Sequence, residues 1–399
     1  MNRGAVGRMV SPQDPPHSSR RSGTVAENKP AKKVASPVGN PAFDVGGLAG
    51  ADIQNPVRCG VIGLGRIGWA HHSKIILEHN GFELVAVCDI EESRIAEAQA
   101  ACNCAGYRRF EDLLKDQRVE LVVVATQSMD HERMSIAASR AGKHVLVEKP
   151  SAESVKGIDR MIAAARKARK LLTMHHNYRL NPEFLLTREV VESGKLGEIF
   201  RIKRTVNSFS RRNDWQTLKK YGGGMTGNWG VHLVDAGLQL MDPKIVFVWA
   251  SIRHVINPGD AEDDIKAIIQ DRKGVVLDID MTSADASKRP TWIVNGTCGT
   301  FWMIDGKAYL KYFDPKKIRK LKPIDLHLAL ERKYGVQPGP DTIPWQEETL
   351  EIKPARAYES YYDNLYLALR KGKKLLVEPE SARRTYEVLD RMKKSAGWK

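Results

Sequence analysis

Val57-Arg58-Cys59-Gly60-Val61-Ile62-Gly63-Leu64-Gly65-Arg66-Ile67-Gly68 carries an apolar run directly into a glycine-rich turn, and a helix-like stretch follows to about His79. A second apolar run over 82–88 ends in Asp89, 21 residues after Gly68. A G-x-G-x-x-G set alone says little. Placed between strand and helix, and followed at this distance by an acid, it specifies a dinucleotide-binding βαβ unit. Gly63 permits the tight turn, Gly65 lets the backbone approach a pyrophosphate, and Gly68 lets the helix pack close to the strand. Arg66 and Ile67 ride on the same loop and are candidate cofactor contacts. The helix N-terminus offers unpaired N–H groups to the phosphates. Asp89 is placed to accept hydrogen bonds from the adenosine ribose, and its charge repels a 2′-phosphate. NAD is therefore the expected cofactor, with NADP the other admissible one.

Outward from this unit the βα rhythm continues. Apolar strand-like runs at 119–126, 144–148 and 171–175 alternate with helix-like stretches at 110–116, 131–141 and 154–168, and Asp130 stands at a capping position. Such alternation predicts an α/β fold with a doubly wound parallel Rossmann sheet. Ligands then bind at the strand C-terminal ends, where Asp89, Thr126, Glu148-Lys149 and the segment 175–179 all fall. Beyond Arg179 the pattern changes. A helix over 182–192 precedes strand-like runs at 199–209, 245–255, 265–270, 274–282, 291–295, 300–304 and 308–312. These predict an α+β domain with a mostly antiparallel sheet. The expected organisation is a disordered tail (1–55), a nucleotide-binding domain (56–178) and a second domain (179–399).

The bulk composition fits two folded domains. The 399 residues are 42% hydrophobic and 28% charged, which excludes a disulfide miniprotein, a fibre or a wholly disordered chain. No run approaches the roughly 18 apolar residues of a membrane span. The tail is rich in proline, glycine and serine without apolar periodicity, and Arg20-Arg21 is followed by no apolar run. Five cysteines, an odd number, fit a reducing, cytoplasmic setting, and Cys102-Asn103-Cys104 lacks zinc spacing. The formal charge of +15 raises the question of an anionic partner. The amphipathic stretches at 358–370 and 381–394 carry many basic residues. No DNA- or RNA-binding motif accompanies them, so solvated faces are expected and no nucleic acid.

The segment Tyr221-Gly222-Gly223-Gly224-Met225-Thr226-Gly227-Asn228-Trp229-Gly230-Val231-His232-Leu233-Val234-Asp235 interrupts the strands and predicts a helix from about 225 to 241. Asn228, His232 and Asp235 then share a face at i, i+4 and i+7. Here the chain resembles the glucose–fructose oxidoreductase, inositol dehydrogenase and rhizopine-catabolism (Gfo/Idh/MocA) family. The resemblance rests on Gly63-x-Gly65-x-x-Gly68, Asp89, Ala125-Thr126…His131, Glu148-Lys149-Pro150 and the Gly222–Asp235 segment, and covers about 57–399. It implies nucleotide contacts from Thr126, His131, Glu148 and Lys149. It also implies that Lys149 and His232 flank the reacting hydroxyl of a sugar, cyclitol or related polyol, that the C-terminal sheet is large and open, making 179–399 the substrate and oligomerisation domain, and that the protein assembles as a homodimer or homotetramer. Inositol dehydrogenases of the family carry aspartate four residues before that histidine, whereas this chain has Asn228. An amide neither takes up a proton nor carries charge. Asn228 is thus expected to position a substrate hydroxyl or orient His232.

The residue types suit hydride transfer. His232 can take the hydroxyl proton, and cationic Lys149 can stabilise the developing alkoxide. Tyr178, Arg179, Trp229 and Arg211 are candidate substrate contacts, aromatics for sugar C–H faces and arginines for acidic groups. His175 and His176 are adjacent on a strand and point to opposite faces, so no metal site is expected. An NAD-dependent glycosidase acting through transient sugar oxidation and a cofactor-bound regulator are the alternatives to a dehydrogenase.

Overall fold

The computed structural model describes residues 54–322, 342–354 and 357–398. The tail expected over 1–55 lies almost wholly outside these residues. In the first half, β1 (Val57–Ile62) feeds a π-helical turn (Gly68–Ser73) and α1 (Lys74–Glu78). Then come β2 (Phe82–Cys88), α2 (Glu92–Ala101), β3 (Ala105–Tyr107) and α3 (Phe110–Lys115). They are followed by β4 (Leu121–Val124), α4 (His131–Arg140), β5 (His144–Val147), α5 (Val155–Ala168) and β6 (Leu172–Met174). The six strands form one parallel sheet in the order β3-β2-β1-β4-β5-β6. The order reverses between β1 and β4, and a crevice at such a switch point is where α/β sheets hold ligands. All four residues of β4 are buried, as the apolar run Leu121-Val122-Val123-Val124 requires. Asp130 does not cap α4 with its side chain; the carboxylate pairs with Arg133 at 3.0 Å.

The second half begins with α6 (Pro182–Glu192), capped by Asn181, whose Oδ1 accepts from the Glu183 and Phe184 amides. After β7 (Ile199–Asn207) come a second π-helical turn (Thr226–Gly230) and α7 (Val231–Leu238). Then follow β8 (Ile245–Arg253), β9 (Asp264–Asp271), β10 (Val276–Thr282), β11 (Trp292–Gly296), β12 (Gly299–Ile304), β13 (Lys307–Tyr312) and β14 (Gln346–Leu350). They form an eight-stranded sheet in the order β14-β13-β12-β11-β7-β10-β9-β8, antiparallel except where β7 meets β10. Strict alternation of burial along β9 shows a sheet with one covered face. The covered face packs on α7, where a Cβ on Gly237 would come within 2.3 Å of Leu277. The other face carries a continuous row of paired residues, Trp249, Ile268, Asp278, Lys203, Ile293, Trp302, Tyr309 and Thr349.

Two closing helices, α8 (Ala357–Lys371) and α9 (Pro379–Ser395), return to the first sheet. From α8, Tyr361 donates to the Met174 carbonyl at 2.8 Å, and Arg370 meets Glu120 and the Pro56 carbonyl, each at 2.9 Å. From α9, Tyr386 accepts from the Ser151 amide and Asp390 from the Val155 amide. Arg383 pairs with Asp159, and Arg391 donates to the Ile245 carbonyl. Arg370, Arg383 and Arg391 therefore tie these helices to the rest of the fold. Among the described residues, no helix is long and apolar enough to cross a membrane.

Trp292 is fully buried, with the Arg204 guanidinium 4.3 Å from its ring centroid. Trp292→Ala is expected to cost about 3–5 kcal/mol, from lost burial and the cavity left behind. The urea midpoint measures it.

Candidate active site

The glycine loop has the geometry its spacing predicts. Gly63 sits at φ +90°, in the region that favours glycine, and a Cβ there would lie 2.7 Å from the Ala125 carbonyl oxygen. A Cβ on Gly68 would fall 1.7 Å from the Gly63 oxygen, so the turn closes only without one. A Cβ on Gly65 meets nothing within 4 Å, because it would point into open space. That space is a cavity of about 760 Å³, lined on one side by Gly63, Gly65, Arg66, Ile67, Asp89, Thr126, His131, Glu148 and Lys149. Its opposite wall includes Trp215, Gln216, Gly222–224 and Asn228. At one end the Asp89 Oδ2 accepts from the Leu64 amide at 2.6 Å, and Oδ1 from the Glu91 amide at 2.9 Å. The carboxylate is thus held rigidly at the end of β2. A backbone cradle with an anchored acid at one end fits a dinucleotide.

At the other end lies Lys149, one residue beyond Glu148 at the end of β5. The preceding Glu148 is buried, and its Oε1 meets His72 Nε2 at 2.9 Å and His175 Nδ1 at 2.6 Å. Burial alone would raise the Glu148 carboxyl; the two histidines outweigh it and hold the group well below the carboxylate range. His72 Nδ1 meets the Tyr362 hydroxyl at 2.7 Å, and the Lys149 amide donates to Glu148 Oε2. His71, His72 and His175 cluster here, and both nitrogens of His72 are engaged within a hydrogen-bond network. His131 is buried beneath the cavity wall, with one ring nitrogen 2.8 Å from the Pro150 carbonyl and the other 3.0 Å from that of Thr126. It braces these two loops.

On the facing wall, the Lys149 ammonium donates to Asn228 Oδ1 at 2.9 Å and to the Asn228 carbonyl at 3.2 Å. Burial lowers the Lys149 pKa, Glu148 opposes this, and the Arg212 and Arg66 charges add to it. His232, buried on the first turn of α7, stacks on Tyr178 with ring centroids 4.1 Å apart. Burial and then the Lys149 charge push its pKa well below the imidazole value, so it is neutral. Its Nδ1 has no hydrogen-bond partner among the described residues. Trp229 stands edge-on to both Tyr178 and His232.

A π-helical turn at Thr226–Gly230 precedes the regular α7, and Asn228, His232 and Asp235, expected on one face, take different partners. Asn228 reaches Lys149, whereas Asp235 turns into the interior. There it receives two hydrogen bonds from Arg179, at 2.8 and 2.7 Å, and one from Thr385 at 2.9 Å. Arg179, expected at the substrate, is instead 6% exposed and tied to Asp235 and the Leu376 carbonyl. Arg211 is exposed on its loop and outside the cavity lining; the neighbouring Arg212 is the one whose charge acts on Lys149. His175 and His176 lie just past the end of β6 and point apart, towards Glu148 and towards Asp235 Oδ1 at 3.1 Å. Gln216, which accepts from Asn228 Nδ2 at 3.2 Å, belongs to the site with no sequence signal beyond its loop.

A Rossmann cradle whose cavity is lined by a lysine within electrostatic reach of a buried neutral histidine fits the class of nucleotide-dependent oxidoreductases. Residues 57–176 match the family profile described as an oxidoreductase family with an NAD-binding Rossmann fold, and 184–302 match the GFO/IDH/MocA C-terminal domain. The chain belongs to the GFO/IDH/MocA family and binds NAD through this fold. It is 28% identical over 257 residues to an uncharacterized oxidoreductase of Schizosaccharomyces pombe, spanning 62% of this chain and 70% of that protein. It is 34% identical over 143 residues to the myo-inositol 2-dehydrogenase of Thermotoga maritima, spanning 36% of this chain and 42% of that enzyme. An NAD-binding protein from Listeria innocua superposes with a TM-score of 0.73 at 25% identity, covering 86% of this chain and 98% of the other.

The glycines make separable predictions. Gly65→Ala is expected to fold normally, because its methyl meets only cavity. The methyl occupies the pyrophosphate's approach, an overpacking of about 1–3 kcal/mol that weakens NAD roughly 5- to 150-fold, measured by fluorescence titration. Asp235→Asn is expected to cost about 3–5 kcal/mol, because it leaves Arg179 buried without its charge partner. Burial would raise the Asp235 carboxyl, but Arg179 and His176 hold it far below its usual value. A depressed folded pKa contributes stability above the unfolded value of about 3.9 and loses it as pH falls. Denaturation midpoints taken from pH 7 to pH 3 should therefore fall less steeply in the variant than in the wild type.

Proposed function

We propose that the protein is an NAD-dependent dehydrogenase acting on a secondary hydroxyl of a sugar, cyclitol or related polyol. The observation that carries this reading is the placement of Lys149 on the cofactor cavity, near enough to a buried, neutral His232 for its charge to act on that ring. When bound, NAD supplies the hydride acceptor. The Lys149 ammonium binds the hydroxyl oxygen and stabilises negative charge as the proton leaves. The neutral imidazole of His232 takes that proton. Tyr178, stacked on the ring, fixes its plane, and Trp229 offers an aromatic edge beside it. In the reverse direction His232 returns the proton to the carbonyl oxygen. The similarity to a myo-inositol 2-dehydrogenase supports a polyhydroxylated substrate.

We further propose that the open face of the large sheet joins two copies into a homodimer, itself able to pair into a tetramer. Its aromatic ends, Trp249 and Trp302–Tyr309, flank the charged centre Lys203–Asp278, a pattern suited to a twofold contact.

A steady-state screen of sugars and cyclitols, following NADH absorbance in both directions, tests the reading. No turnover despite NAD binding would overturn it, in favour of the regulator or, with glycoside cleavage and no net NADH, of the glycosidase. On the active substrate His232→Asn should lower kcat by roughly 10²-fold or more, leaving NAD affinity within a few-fold. The base must be unprotonated and its pKa is depressed, so the acid limb of wild-type kcat/KM should fall below the ordinary imidazole value of about 6.5.

A further inference from the structure

We propose that Gln216 and Asn228 form an uncharged clamp that holds the Lys149 ammonium as a hydrogen-bond donor which keeps its proton. This assignment rests on the reading of Lys149 as the group that binds the reacting oxygen.

An ammonium has three N–H donors and no acceptor. Two of those donors go to the oxygens of one residue, Asn228 Oδ1 and the Asn228 main-chain carbonyl. The third is left for the cavity that Lys149 lines. The two ends of an asparagine amide are alike in shape, and what points the oxygen at Lys149 is the Gln216 Oε1, which accepts from the Asn228 NH₂. Were the amide turned over, NH₂ would face ammonium and oxygen would face oxygen. The clamp itself is held by the Gly222–224 run. The Gly224 amide donates to the Gln216 carbonyl at 2.9 Å, and a Cβ on Gly223 would lie 2.5 Å from that same oxygen. Glycine is therefore required for the Gln216 loop to reach the turn that carries Asn228.

Both acceptors are neutral, and neither amide can take a proton from lysine. The nearest carboxylate in sequence, Glu148, has its Oε1 turned towards His72 and His175. The charge that would stabilise an alkoxide is thus oriented without being cancelled. An aspartate at position 228 would instead place a formal anion in contact with the amine. Gln216 and Asn228 are accordingly positioning residues, acting through Lys149.

The test reads Lys149 directly and needs no substrate. The full-length protein is trace-labelled with acetic anhydride across a pH series, and peptide mass spectrometry gives the Lys149 midpoint and limiting rate. Asn228→Asp is expected to raise the midpoint by about one pH unit or more, as an opposite charge in contact does. Gln216→Leu should leave the midpoint in place and raise the limiting rate severalfold, because the amide loses its orientation. Gln216→Glu keeps an acceptor and should restore slow labelling. An unmoved midpoint in Asn228→Asp, or wild-type labelling in Gln216→Leu, overturns the clamp. If Asn228→Asp does not fold, the Gln216 pair decides alone. Failure of every polyol in the activity screen would remove the proposed reaction and leave this measurement unaffected.

Discussion

One buried carboxylate holds together the parts of the cavity beside the glycine loop. Glu148 lies at the end of β5, where a doubly wound sheet opens its crevice. Through His72 it grips the helical turn that follows the glycine loop, and through His175 the end of β6. Its second oxygen receives the amide of Lys149, which fixes the backbone from which the lysine side chain departs. His72 then passes the connection to Tyr362 on α8. A charge buried this deeply is tolerable only with such partners. Its partners come from segments far apart in sequence, so the charge that needs them also sets how the cradle, the lysine and the closing helix stand to one another.

The facing wall answers with close backbone approach rather than charge. The Gly222–224 run lets the Gln216 loop press against the turn bearing Asn228, and the π-helical turn presents both an amide oxygen and a main-chain oxygen to one ammonium. Behind it, α7 begins in regular phase and sends Asp235 into the interior, where it and Arg179 neutralise each other. One short stretch thereby supplies a lysine clamp, a neutral imidazole and a structural anchor.

Much of this is legible in the sequence where burial writes a simple pattern. β1, β2, β4, β5 and β6 are covered on both faces and read as apolar runs, and the glycine loop reads by spacing alone. α2 and β3 carry no strong periodicity over their short lengths, and β14, Gln346-Glu347-Glu348-Thr349-Leu350, is an acidic edge strand that no hydrophobic pattern announces. Within the site, Asp89, Lys149, Asn228 and His232 are visible as residue types on recognisable segments. Arg179 misleads because an arginine looks the same whether it faces an acidic substrate or a buried carboxylate. Gln216 stays silent because a loop amide acquires meaning only from what folds against it. The π-helical turn at Thr226–Gly230 is invisible to any reading that assumes 3.6 residues per turn.

The return of α8 and α9 to the first sheet bears on how the chain reaches its final state. The strands that hold the nucleotide are made early in synthesis, yet groups they need for satisfaction come from 357–398. The Met174 carbonyl, the Glu120 carboxylate, His72 and the Ser151 and Val155 amides all wait for residues of those two helices. A ribosome-bound chain that has emerged only through β6 therefore exposes a Rossmann sheet with an uncovered flank and unanswered polar groups. The order of translation and the order of closure differ, and the nucleotide-binding half is completed only when the half bearing the large sheet has already been made.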